Sequence, residues 1–332
     1  MNPKVSVILP AYNSEQYITK AILSLLKQTY QNFEVIIVDD GSTDATAKIA
    51  ANLADDRFKI IRKRRNQGVA AARNTALKIA RGKWITLLDA DDWYAPERLE
   101  KLLQVAHNNR ADLIADNLFL IHDRARYPWS TLFAENQYSE LLVGSIDTAT
   151  FIKTDQPAKN VCKRSWSLGY TKPLIRREFL LDWGIEYDET IEVGEDFVLY
   201  LQCLTHGASL LLVSQPYYYY RNRDASLSRR SWFDYLDQSC QLISNLIETE
   251  ELICTNPALV VAMSENLEIF EKQLAYCNVV TLIRKKHLSR IFQNLWRKPY
   301  IVGYLMSKAI DFVSQKLKDI SRNNIKVKQL RI

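Results

Sequence analysis

Residues 83–106, KWITLLDADDWYAPERLEKLLQVA, hold the stretch on which the fold turns. Trp84–Leu88 is a short apolar, β-prone run. It ends abruptly in Asp89, Asp91 and Asp92, and Ala95–Ala106 then takes up helical spacing. Three carboxylates within four positions repel one another unless something compensates them. One compensation is a hard divalent cation, Mg²⁺ or Mn²⁺, which prefers oxygen ligands and keeps phosphates and waters in its shell. The other is a solvated strand-to-helix turn in which Asp91 or Asp92 helps to cap the helix. The three acids alone leave both open.

Toward the N-terminus the same alternation repeats. VSVILPAY (5–12) reads as a buried strand. The next segment has Ile18, Ile22, Leu25 and Leu26 on one helical face, with Asn13 or Ser14 as its N-cap. Phe33–Val38 is a second strand, stopping at Asp39-Asp40-Gly41-Ser42. A helix, a short strand (FKIIRK) and another helix, expected to stop at Gly82, precede the opening stretch. This order predicts an α/β sheet, largely parallel, with helices on both faces. Such sheets bind ligands at the carboxyl ends of their strands. Both acidic clusters lie at such ends and are expected to converge on one cleft.

Beyond about residue 115 the pattern loosens, and residues 123–170 show no clear period. GEDFVLYLQCLTHG restores a helix, from Glu195 to a stop at Gly207. SLLLVSQPYYYYRNR follows as a strand and an extended segment, and the chain reads as mostly helix from about residue 231.

Composition narrows the class. Of 332 residues 47% are apolar and 25% charged, ordinary for a globular chain with a substantial core. The five cysteines are scattered and form no CxxC pair, so neither a disulfide framework nor a zinc site is expected, and a reducing cytosol fits. The N-terminal apolar run is too short for a signal peptide, and no apolar stretch reaches the roughly 20 residues that span a bilayer. Residues 284–332 hold 13 Lys or Arg against two Asp, a balance of +11; the chain is +6, so the body carries −5. The basic character thus belongs to the tail. There Val302, Leu305, Met306, Ala309, Phe312 and Val313 share one helical face, which suits either an anionic membrane surface or packing on the body. No nucleic-acid-binding module accompanies the tail, so nucleic acid is not an expected partner.

VILPAYN, VDDGSTD, NQGVAAARNTAL and LLDADDWY, in this order, resemble the family 2 glycosyltransferases, whose catalytic domain has the GT-A fold. The likeness covers about residues 4–115. A further segment, KPLIRREFLLDWGIEYDETIEVGEDFVLYLQCL (172–204), is similar to the acceptor side of that family. The resemblance implies three regions: residues 1–115 as the nucleotide-sugar-binding half of the domain, 116–230 as its acceptor-binding half, and 231–332 as a helical extension with the basic tail.

The resemblance also implies roles. Pro10, Ala11 and Tyr12 would lie against the nucleobase. Asp40 would hydrogen-bond the base, typically uracil, with Asp39 fixing the nucleotide, and Gly68 would let the NQG loop approach the ligand. Arg73 would approach the nucleotide or its phosphates, although a surface salt bridge is a rival reading. Asp89 would contact the ribose side. Asp91 would ligate Mn²⁺ or Mg²⁺ on the diphosphate, with Asp92 assisting it or capping the helix. Asp196 would be the base of an inverting transfer and Glu195 would support the acceptor. Arg221 or Arg223 could reach the diphosphate, and Tyr217–Tyr220 could stack on a sugar or pack in the core. RRSW (229–232) departs from the QxxRW signature of processive synthases in the family.

The expectation is therefore a cytoplasmic inverting transferase moving a sugar from a nucleotide donor, UDP-linked, to a glycan or lipid-linked saccharide. If the tail docks, it would sit peripherally on the inner face of the plasma membrane. The rivals are a nucleotidyltransferase, against which the Gly-free LPAYNSEQY counts, and a non-catalytic nucleotide-sugar-binding module of the same fold.

Overall fold

Strand β1 (Val5–Ala11) is buried along its whole length, as an unbroken apolar run in a doubly covered sheet must be. It pairs in parallel with β2 (Phe33–Asp39) on one side and β4 (Trp84–Leu87) on the other; β3 (Phe58–Arg62) continues the parallel set beyond β2. The computed structural model describes residues 3–123, 125–133, 143–156, 167–222, 232–284 and 302–304. Within them the main sheet runs β3-β2-β1-β4-β9-β6-β10-β5. Here β9 is Leu174–Arg176, β6 is Leu113–His122, β10 is Leu210–Asn222 and β5 is Trp93–Tyr94. β10 lies parallel to β6, while β9 and β5 pair antiparallel with their neighbours. Two short strands, β7 (Ser130–Thr131) and β8 (Val143–Ile146), add to β6 and β10. The sheet is mixed and mostly parallel, as the alternation predicted.

Successive β1 side chains feed two cores. Val5, Val7 and Leu9 join Ile18, Ile22 and Leu25 of helix Ile18–Leu26 and Leu99 and Leu102 of helix Arg98–Asn108. Ile8, Ile36 and Val38 face the other way, toward Ala72 and Ala76 of helix Val69–Leu77 and Leu199 of helix Glu195–Thr205. Helices Trp232–Thr249 and Pro257–Arg284 add Leu236, Ile243, Met263 and Phe270 to this second core. The boundary drawn at residue 115 falls within β6, so the first two regions share one sheet.

The chain enters at the centre of the sheet, runs outward to β3 and then crosses back beside β1 to form β4. That reversal opens a crevice at the carboxyl ends of β1, β2 and β4. Asp39 ends β2 and Asp40 follows it, and Asp89–Asp92 follow β4. The two acidic clusters therefore flank the same crevice.

Several local expectations change. Neither Asn13 nor Ser14 caps the first helix, which starts at Ile18 after a turn closed by the Tyr17 and Ile18 amides on the Ser14 carbonyl. Helix Val69–Leu77 ends well before Gly82. That glycine lies against β1, where a Cβ would meet the Ser6 amide nitrogen at 2.4 Å, so it serves close packing and not helix termination. The helix at Glu195 ends at Thr205, with Gly207 at φ +89° just beyond it. Among the described residues no helix is long and apolar enough to cross a membrane. Arg223 and the amphipathic tail face, apart from Val302, lie outside the described residues.

Candidate active site

The nucleotide-side loops are clipped together by polar contacts. Asn13 sits at φ +45°; its amide donates to Ser42 Oγ at 3.0 Å, and its Oδ1 accepts from the Thr43 amide at 2.9 Å. Asp39 accepts from the Ser42 amide at 3.1 Å through Oδ1 and has Arg62 Nε 3.2 Å from Oδ2. Asp40 Oδ2 accepts from the Gln67 and Gly68 amides at 3.0 and 2.8 Å, and Lys63 Nζ stands 3.2 Å from its Oδ1. Asp40 is thus the anchor of the NQG turn. Asp39 Oδ2, Asp40 Oδ1 and Lys63 Nζ are buried without a hydrogen-bond partner. Their contacts are the ion pairs with Arg62 and between Lys63 and Asp40. Pro10 and Ala11 are buried at the end of β1, and Tyr12 is 46% exposed, with its ring open to a stacking partner. Gly68 meets no protein atom at its Cβ position, and its φ of +95° by itself requires glycine.

Arg73 is neither a surface salt bridge nor turned to solvent. It is buried at the hub of the crevice, with Nη2 3.0 Å from Asp89 Oδ1 and Nη1 2.8 Å from Glu195 Oε1 and 3.0 Å from Asp196 Oδ1. Its guanidinium also lies 5.2 Å from the centre of the Tyr187 ring. Burial opposes its charge, but Asp196, Tyr187, Asp89 and Glu195 together hold it firmly protonated. Lys172 is the second cation, with Nζ 2.6 Å from Asp196 Oδ2 and 3.3 Å from Asp89 Oδ2. Burial opposes its charge; Asp196 and Asp89 outweigh that and raise its pKa above the ordinary lysine range. Burial likewise opposes ionisation of Asp89, yet Lys172 and Arg73 hold its carboxyl down at about 2. Glu195 goes the other way, raised by burial and by the Asp196 charge against the pull of Arg73. The Tyr187 hydroxyl donates to Asp196 Oδ1 at 3.0 Å.

Asp92 does not cap the following helix, which starts at Arg98 with no side-chain cap. It fastens β10 instead: Tyr218 Oη donates to its Oδ2 and the Arg221 amide to its Oδ1, both at 2.7 Å. Burial, then Asp91 and Asp89, push its carboxyl well above the usual range. Arg221 Nε donates to the Asp91 carbonyl at 2.7 Å, and its Nη1 pairs with Asp123 at 3.1 Å. Of the tyrosine run, Tyr218 is fully buried and Tyr219 stacks on Trp93 and Phe119, so these rings pack in the sheet. Lys20 Nζ stands 3.1 Å from the centre of the Trp93 ring.

Among the described residues no group of three or more His, Cys, Asp or Glu side chains is arranged to hold a metal ion. Asp89 and Asp92 are turned to cations and donors of the protein. A Mg²⁺-type ion that takes its other ligands from a diphosphate and water needs only one or two carboxylates. Asp91, half-buried in the same turn, fits that smaller requirement.

Lys172 and Tyr187 escape a reading of the sequence. Both lie inside the acceptor-side segment, but neither spacing nor residue type marks them. A lone lysine beside a proline and a tyrosine eight residues before a glutamate announce no chemistry until the chain folds.

The fold is the GT-A α/β sheet, with a crevice of paired acids and cations at its carboxyl edge. The family model for glycosyl transferase family 2 matches residues 6–163, slightly less than half of the chain. It is 34% identical over 236 residues to the succinoglycan biosynthesis protein ExoO of Rhizobium meliloti (strain 1021), covering 71% of this chain and 65% of that protein. The chain thus spans slightly less than two thirds of that relative's length. The crystal structure of S. aureus TarS 1–349 in complex with UDP-GlcNAc matches with a TM-score of 0.58 at 23% identity, over 82% of this chain and 71% of that one. The mannosyltransferase PcManGT from Pyrobaculum calidifontis, in complex with GDP-Man and Mn²⁺, matches with a TM-score of 0.53 at 16% identity, over 95% of this chain and 88% of that one.

Proposed function

We propose that this protein is an inverting glycosyltransferase that moves a sugar from a UDP-sugar to a hydroxyl of a glycan or lipid-linked saccharide. The observation that carries the reading is the Arg73 hub. It joins Asp89, at the nucleotide end of the crevice, to Glu195 and Asp196, which lie more than a hundred residues further along the chain. A carboxylate pair beside a nucleotide crevice is what a direct displacement needs.

In that reaction the acceptor oxygen forms a bond to the anomeric carbon as the bond from that carbon to the phosphate oxygen breaks. The bonding electrons leave on UDP, and Asp196 takes the acceptor's proton. Asp196 Oδ1 is held by Tyr187 and Arg73 and its Oδ2 by Lys172 alone, so the second lone pair of Oδ2 is the place where the acceptor hydroxyl would donate. Glu195, at the mouth of the pair, would orient the acceptor. Asp39 and Asp40, at the end of β2 beside the exposed Tyr12, would receive the nucleoside. Asp91 would hold Mn²⁺ or Mg²⁺, which would neutralise charge on the departing diphosphate; Arg221, tied to the Asp91 carbonyl, would add a cation beside it. The membrane-surface role of the basic tail and the cytoplasmic location are part of the same proposal, motivated by the +11 balance of residues 284–332.

Calorimetric titration with UDP, with and without Mn²⁺, tests the donor half, and UDP release from UDP-sugars tests the transfer half. The expected result is Mn²⁺-dependent UDP binding that Asp91→Asn weakens about tenfold or more, within the range for removal of a charged ligand contact. Asp196→Asn should bind UDP like the parent and release it about 10²–10⁴-fold more slowly, the usual span for a lost general base. Normal turnover in Asp196→Asn would reassign the base.

A further inference from the structure

We propose that Lys172 is a positioning residue for the transfer: its ammonium, lodged between Asp89 and Asp196, fixes how the Asp196 carboxylate presents itself to the acceptor and keeps the two halves of the crevice in register. The inference rests on the transferase reading of this site.

The geometry of the grip is the first support. Arg73 takes Oδ1 of Asp89 and Oδ1 of Asp196, whereas Lys172 takes Oδ2 of both. Each carboxylate is therefore held through both oxygens, one by each cation. Without Lys172, Oδ2 of both carboxylates would lose its cation, and Asp196 would be held only through Oδ1, by Arg73 and Tyr187.

The second support is how firmly Lys172 itself is placed. The residue is only 4% exposed, and an ammonium that deep needs well-made ion pairs to remain charged. Its carbonyl accepts from Thr86 Oγ1 at 3.1 Å and also from Arg98 Nη2. Arg98 is itself fully buried in an ion pair with Asp116 at 2.7 Å. On the preceding residue, the Thr171 carbonyl accepts from Tyr200 Oη at 3.1 Å and Thr171 Oγ1 donates to the Leu168 carbonyl. Pro173 follows and restricts the backbone further. A buried framework of this kind beneath one side chain is what a positioning role requires.

The third support is charge. Asp89, Glu195 and Asp196 present three carboxylates to two cations, Arg73 and Lys172. Without Lys172 a single guanidinium would serve all three.

The test compares the parent with Lys172→Met, which has similar length and no charge, and Lys172→Arg, which restores the charge. UDP affinity is read by calorimetry with Mn²⁺. UDP release is read from UDP-glucose and UDP-N-acetylglucosamine with water as acceptor, and thermal unfolding is followed for each variant. Lys172→Met should keep UDP affinity within about threefold, because Asp89 retains Arg73, while kcat falls about 10–100-fold, the usual effect of losing an orienting partner. Lys172→Arg should recover a substantial part of that loss. Turnover of Lys172→Met within about threefold of the parent would overturn the proposal and leave the transferase reading standing. So would parallel losses of affinity, turnover and unfolding temperature that Lys172→Arg does not relieve, since those mark a purely structural lysine. A parent that neither binds UDP nor releases it from either donor would remove the transferase reading, and the positioning role with it.

Discussion

Lys20 shows how much a single side chain can report about this crevice. Its ammonium lies over the Trp93 ring, and the Arg221 guanidinium lies 4.9 Å from the centre of the same ring. Burial first, and then the Arg221 charge, bring its pKa down from 10.5 to about 8. The attraction between a cation and an aromatic face offsets part of that cost but does not cancel it. Lys20 is therefore charged at neutral pH and neutral in mildly alkaline buffer. NMR titration of ¹³C-dimethylated lysines should find one resonance with a midpoint near 8, assigned to Lys20 by its loss in Lys20→Gln. Arg221→Gln should move that midpoint upward only part of the way, since burial remains. A midpoint within the ordinary lysine range in the parent would mean that the ammonium spends its time in solvent and not on Trp93.

At the scale of elements, what could be read from the sequence was what the chain writes locally. The alternation through β1–β4 was legible because a doubly covered parallel sheet demands uninterrupted apolar runs, and these ended at acids. The helix starting at Glu195 was legible because Gly194 and Gly207 bracket it. Asp92 was not. Its partner Tyr218 lies 126 positions away in a run of four tyrosines, and nothing in that run says which ring points inward. The arginine of AAARN was visible, but its burial among three carboxylates was not, because those carboxylates come from two distant segments. Gly41 gives the element scale its test. It joins β2 to the next turn at φ +78°, and a Cβ there would stand 2.7 Å from the Arg65 carbonyl carbon and 2.8 Å from its Cα. Neither atom belongs to a side chain that can swing away. Gly41→Ala should therefore push apart the loop after β2 and the NQG turn that Asp40 anchors. The expected cost is about 1–3 kcal/mol in urea unfolding, from positive φ and steric contact together, with UDP affinity falling as well. Unchanged stability and affinity would show that these two loops are not coupled.

Across the whole molecule, the ion network makes the fold sensitive to acid, and the sign depends on which carboxylate is considered. Glu195 and Asp92 have raised pKa values, so the folded state holds their protons more tightly than the unfolded chain and these two groups favour folding as pH falls. Asp89 opposes them. Its folded value of about 2 lies below the ordinary aspartate value of about 3.9, so the stability it contributes is present above pH 4 and is lost as pH falls from 4 toward 2. A depression of nearly two units corresponds to at most about 2.5 kcal/mol, and to less here because the side chain is 25% exposed and solvent screens its partners. Urea unfolding of the parent and of Asp89→Asn from pH 5 to pH 2.5 reads this contribution, together with the downward shift that loss of the Asp89 charge produces in Asp92. The parent should be the more stable by up to about 2 kcal/mol at pH 5, and the difference should close as Asp89 takes up its proton. A difference that stays constant across the window would mean that Asp89 supports the fold through packing and neutral hydrogen bonds, and that the pull of Lys172 and Arg73 on its charge contributes nothing to stability.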